Sequence, residues 1–67
     1  MSRWMNQVFE ADSVRRGGIV RRKKSSVHHY ASRDELIEQV VERGFHLLEI
    51  GNQYVVICDR GKMEVIR

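Results

Sequence analysis

Proline is absent from this 67-residue chain, cysteine occurs once and aromatic residues make up 7% of it. Without proline, no ring stops a helix or strand, so glycine and short polar side chains must punctuate the fold. The single cysteine, Cys58, excludes an intramolecular disulfide. A secreted domain of this size is normally stapled by several, so a reducing, cytoplasmic setting is expected. The segment MSRWMNQVFEAD has one early Arg, no long apolar run and two acids close behind, which is unlike a signal peptide. Nowhere do about 20 consecutive apolar residues occur, the length needed to span a bilayer as a helix.

What is present fits one small globular domain. At 42% hydrophobic and 31% charged residues, the composition lies outside the range in which chains stay disordered. A domain of about 60 residues buries only about 60% of the surface its unfolded chain exposes, so it lies near the lower limit for folding alone. Charge is unevenly spread. Residues 15–24, RRGGIVRRKK, hold Arg15, Arg16, Arg21, Arg22, Lys23 and Lys24 with no acid, a local charge of +6. The stretches 1–14 and 25–67 carry −1 and −2, so the net +3 belongs to that one segment.

The segment ASRDELIEQVVERGF predicts a helix over about 33–43. Ser32 followed by Glu35 has the spacing of a capping box, in which the hydroxyl takes an amide of the first turn and the carboxylate reaches back. Asp34 and Glu35 suit the positive end of the helix dipole, Arg43 the negative end, and Gly44 a left-handed stop. Leu36, Ile37, Val40 and Val41 form one apolar stripe. Beyond Gly44 the period changes to two, which predicts strands over 45–50, 53–58 and 62–66. Gly51-Asn52 fits a two-residue hairpin with positive φ at the glycine, and Asp59-Arg60-Gly61-Lys62 a second tight turn.

The first hairpin sets Leu48 opposite Val55 and Leu47 opposite Val56. One sheet face then collects Phe45, Leu47, Val56, Cys58, Met63 and Val65, and the other Leu48, Ile50, Val55, Ile57 and Ile66. Both faces are apolar, whereas a sheet with one wet face alternates apolar with polar. One helix covers one face, so the second needs the N-terminal arm or another copy of the chain. In the arm (residues 1–18), Trp4, Met5, Val8 and Phe9 repeat the stripe spacing, which fits a short amphipathic helix, a strand beginning at Val8, or a disordered segment. Residues 19–67 make the minidomain proper, and Ile19 to Lys24 have the Lys and Arg content of an edge strand.

The basic run is the main functional signal. Six phosphate contacts on duplex DNA would give a log–log salt slope of about −5. No aromatic is interleaved for base stacking, and no periodic helix carries the charges into a groove. His28, His29, His46 and Cys58 are zinc-ligand types. However, adjacent histidines on an extended segment point opposite ways, and the hairpin register separates His46 from Cys58, so no metal or other cofactor is expected. A hydrolase built on His28, His29 or Asp34 would need those groups to converge, and Asp34 and Glu35 are already explained by the helix start.

Two resemblances add to this reading. The run DELIEQVVERGFHLLEIGNQYVVICDRGKMEVI is similar in layout to the HicA toxin family, small proteins with a fold like double-stranded-RNA-binding domains. The resemblance implies a helix, a Gly and three strands joined by short turns. That family carries its catalytic His just after the first hairpin Gly, where this chain has Asn52, Gln53 and Tyr54, so RNA cleavage does not carry over. The run ERGFHLLEIGNQYVVIC also resembles small uncharacterised bacterial proteins, some labelled phosphoribosylanthranilate isomerase. That enzyme is a (β/α)₈ barrel of about 250 residues, which 67 residues cannot build.

The expectation is an α+β protein, one helix on a three-stranded antiparallel sheet, with the arm adding an edge strand or covering the back face. The expected function is a non-enzymatic binding module acting as a homodimer through Leu48, Ile50, Val55, Ile57 and Ile66. The alternative is a nucleic-acid-binding accessory protein contacting DNA or RNA phosphates through Arg15, Arg16, Arg21, Arg22, Lys23 and Lys24. No membrane partner and no small-molecule substrate are expected.

Overall fold

The computed structural model describes residues 2–66. In chain order it contains α1 (Arg3–Phe9), α2 (Asp12–Arg15), β1 (Ile19–Lys23), α3 (Lys24–Tyr30), α4 (Arg33–Arg43), β2 (His46–Ile50) and β3 (Gln53–Ile57). The three strands form one antiparallel sheet in the order β1-β3-β2. Among the described residues, no helix is long and apolar enough to cross a membrane.

Two serines start two of the helices. Ser2 Oγ accepts the Met5 amide at 3.1 Å, and Ser32 Oγ accepts the Glu35 amide at 3.0 Å. The second half of the expected capping box takes another form: Glu35 Oε2 accepts the backbone N–H of Ser2 at 2.8 Å, across 33 residues of sequence. A local cap is thereby exchanged for a tie between α1 and α4. At its other end α4 closes as a Schellman motif, with Gly44 at φ 73° and the Phe45 amide bonded to Val40 O at 2.9 Å.

The β2–β3 hairpin has the register read from its turn, with Leu48 opposite Val55 and Leu47 opposite Val56, and Gly51 carries φ 58°. The third strand differs from expectation. It is β1, not residues 62–66: Val20 pairs with Val56 and Arg21 with Val55. Hydrogen bonds beyond both ends extend the ladder, from Cys58 N to Gly18 O at 2.9 Å and from Lys24 N to Asn52 O at 2.8 Å. β1 thus occupies the edge of β3 that a following hairpin strand would need. After Cys58 the chain turns aside. Asp59 Oδ1 takes the Gly61 amide at 2.7 Å, Arg60 Nε donates to Arg43 O at 3.2 Å, and residues 62–66 run exposed outside the sheet.

The core lies between the helices and one sheet face. Met5, Val8 and Phe9 of α1, Val27 of α3, and Leu36 and Val40 of α4 form one cluster with Val20, Tyr54, Val56 and Cys58. Met5 is 0% exposed, so the N-terminal helix is an integral wall of the core. Burying a side chain of this size stabilises the fold by about 1.5–3 kcal/mol.

Candidate functional site

All the helical core residues pack on the face of the sheet that carries Val20, Tyr54 and Val56. The opposite face has no helix. Register places three rows there: Ile19, Ile57 and His46; Arg21, Val55 and Leu48; Lys23, Gln53 and Ile50. At its centre Val55 is only 3% exposed, flanked by Arg21 on one side and Leu48 on the other. A long cationic side chain can lay its methylene stem over apolar neighbours while its head stays in water. At the margins, Ile19 is 50% and Ile50 56% exposed. No side chain on this face is acidic.

The structure divides the basic run into three. Arg21 and Lys23 are exposed on the open face. Arg22 and Lys24 are half-buried, and Arg22 opposes Tyr54 on the helix-bearing side. Lys24 Nζ lies 3.5 Å from Glu49 Oε2 and 5.5 Å from the centre of the Tyr54 ring. Arg15 and Arg16 are exposed at the end of α2, beside an open cleft. Of the apolar set expected on the second face, Leu48, Ile50, Val55 and Ile57 lie on it. Ile66 does not: it is 88% exposed in the segment after the sheet, because β1 has taken the strand position its own segment needed.

No protein-family model, curated protein or solved structure matches this chain.

The three histidines go to separate partners. His28 Nε2 shares a 2.7 Å hydrogen bond with the buried Tyr54 hydroxyl, His29 meets the Tyr30 ring edge-on, and His46 Nε2 lies 2.6 Å from Gly61 O. Burial pushes the Cys58 thiol up from its ordinary value, with Arg43 opposing the shift, so the sulfur stays protonated near neutrality. Glu49 holds the opposite position electrostatically. Its hydrogen bond with Arg33, at 3.0 Å, and the charge of Lys24 lower its pKa below the ordinary carboxylate value. Arg33, Glu49 and Lys24 thereby form an exposed ionic link joining α4, β2 and α3.

Sequence reasoning placed the basic run on an edge strand but treated its charges alike. The hairpin register already puts His46 and Gln53 on the open face, without assigning them a role, and Arg60 was missed as a neighbour of Arg15 and Arg16. The sequence IVRRK contains the signal for sorting the charges: pairing either end of β1 settles which of them face outward. For Arg60, no local pattern exists, since its position comes from the departure of the chain after Cys58.

Proposed function

We propose that the protein is a non-enzymatic binding module whose helix-free sheet face engages the phosphate backbone of a nucleic acid. The observation that carries this reading is the charge of the face: Arg21 and Lys23 project from it beside Gln53 and His46, with no carboxylate among them. The acids of α4, namely Asp34, Glu35, Glu38 and Glu42, belong to the helical layer on the other side. On the open face an anionic polymer therefore meets cations with no carboxylate beside them, whereas the α4 side carries four acids. Arg21 and Lys23 are two residues apart on one strand, a step of about 6.8 Å, comparable to that between successive phosphates of an extended strand. The face holds no Phe, Tyr or Trp, and its one ring, His46, is engaged with Gly61 O, so contact is to backbone and independent of sequence.

A ¹⁵N-resolved titration with short single-stranded and duplex oligonucleotides at low salt tests this reading. The amides of 19–23, 46–50 and 53–57 are expected to move together. Shifts confined to the helices, or no shift, would reject it.

A second reading, self-association through the same face, is favoured by Ile19, Leu48 and Ile50. Charge restricts how two copies can meet. A two-fold axis parallel to the strands sets β1 of one copy over β2 of the other, whereas an axis across the strands sets β1 over β1 and brings the cations of the two copies together, Arg21 on Arg21 or Arg21 on Lys23. Sedimentation equilibrium separates these readings: a dimer that dissociates when Ile50 is replaced by Glu supports self-association, and a monomer at all concentrations rejects it.

A further inference from the structure

The turn leading from α2 into β1 and the segment that follows β3 border an open cleft of about 450 Å³. That lies within the range of small-molecule sites, about 300–1,000 Å³. Arg15 and Arg16 line it from the end of α2 and Arg60 from the segment after β3, and the apolar side chains of Val14 and Phe45 also line it. Asp59 is the one acid on the lining, and its Oδ1 is engaged by the Gly61 amide at 2.7 Å. Arg60 Nε donates to Arg43 O at 3.2 Å, which fixes the stem and leaves the terminal nitrogens of the guanidinium to other partners.

A fourth guanidinium adds to the field. Arg43 lies over the Phe9 ring at 4.5 Å, and its Nε is buried with no hydrogen-bond partner among the described residues. Its charge reaches Cys58, which lines the cleft. Both ion pairs among the described residues belong to Glu49, at the other end of the sheet, so none of these four arginines is neutralised by one. Guanidinium groups present planar pairs of donors that match a phosphate, and a terminal phosphate brings close to two negative charges.

We infer that this cleft binds a phosphate monoester carried by a nucleoside, with Arg15, Arg16 and Arg60 on the phosphate and Phe45 and Val14 as the apolar wall for the base. The site is separate from the open sheet face and does not depend on it. The same chemistry occurs in a free mononucleotide and at the 5′ end of a nucleic-acid strand.

The test is a ¹⁵N-resolved titration of the full chain with AMP, adenosine and inorganic phosphate, followed by 5′-phosphorylated and 5′-hydroxyl oligonucleotides. AMP should move the amides of Gly17, Asp59 and Arg60, and adenosine should leave them in place. The variant R15Q/R16Q should weaken AMP at least tenfold and R60Q should weaken it as well, each with an otherwise native spectrum. R21Q/K23Q, on the other face, should leave AMP binding intact while reducing oligonucleotide binding. Tighter binding of the 5′-phosphorylated oligonucleotide assigns the site to strand ends; equal binding of the two, with AMP bound, assigns it to free nucleotides. Either result supports the site. No response to millimolar AMP, equal shifts from adenosine, or AMP affinity unchanged in R15Q/R16Q would overturn it.

Discussion

Two pairs of substitutions, equivalent in charge and adjacent in sequence, should behave differently. In R21Q/K23Q both lost charges come from the open face, whereas in R22Q/K24Q they come from the half-buried, helix-bearing side, where Lys24 is already paired with Glu49. Each phosphate contact contributes about 0.9 to the log–log salt slope on duplex DNA and about 0.7 on a single strand. R21Q/K23Q should therefore flatten the slope by about 1.8 on duplex and about 1.4 on single strands. On duplex, a fourfold drop in salt would strengthen wild-type binding about tenfold more than binding of the variant. R22Q/K24Q should leave the slope unchanged. Fluorescence anisotropy of labelled oligonucleotides across a range of salt concentrations reads both. Equal flattening by the two pairs would refute the reasoning, because the charge would then act as a diffuse cloud around the strand. Absence of binding by the wild type at low salt would refute it too.

Three further outcomes test the packing and the ionisable groups. Met5→Ala removes a fully enclosed side chain from the N-terminal wall of the core and should cost about 2–5 kcal/mol in urea unfolding; a loss below about 0.5 kcal/mol, the size typical of surface changes, would show that α1 is only loosely attached. Glu49 titrates below its ordinary value in the fold, so its contribution is present above the unfolded carboxylate pKa and is lost as pH falls through the folded one. The thermal stability of wild type should accordingly exceed that of Glu49→Gln near neutrality, and the gap should close under acid; a gap constant with pH would contradict the ionic link. Burial raises the Cys58 thiol, so a thiol-reactive probe should modify the native protein far more slowly than the denatured chain near pH 8, and equal rates would place the sulfur at the surface.

The sequence reads most clearly where local and tertiary preferences coincide. In α4 the cap, the terminal charges and the stop glycine agree, and the helix spans 33–43 as its pattern indicates, but the stripe is rotated: Leu36 and Val40 are buried with Gln39, while Val41 is 71% exposed. The β2–β3 register is similarly legible, because a two-residue turn leaves one pairing open to it. By contrast, α3 shows almost no periodic signal. Its KSSVHHY contains one buried apolar residue, Val27, and the helix is held from outside by the core and by His28 on Tyr54. Residues 62–66 illustrate the reverse case. MEVI has strand-like composition, yet the edge of β3 it would need is filled by a segment some forty residues earlier in the chain. Competition for an edge is a property of topology, which composition and period do not encode.

The same competition accounts for the candidate interface. Residues 19–23 run Ile-Val-Arg-Arg-Lys, so shifting β1 by one position against β3 exchanges the faces of every side chain. In the observed register Val20 enters the core beside Val56, and Arg21 and Lys23 project outward with Ile19. A one-residue slip would move Val20 into water and turn Arg21 and Lys23 toward α1, α3 and α4. Burying an unpaired cation costs several kcal/mol, which exceeds what burying Ile19 in place of Val20 would return. Hydrophobic sorting in the core and placement of charge on the open face are thus one choice. A substitution that loosens the first, such as Val20→Thr, should disorder the second and reduce oligonucleotide affinity without removing any cation.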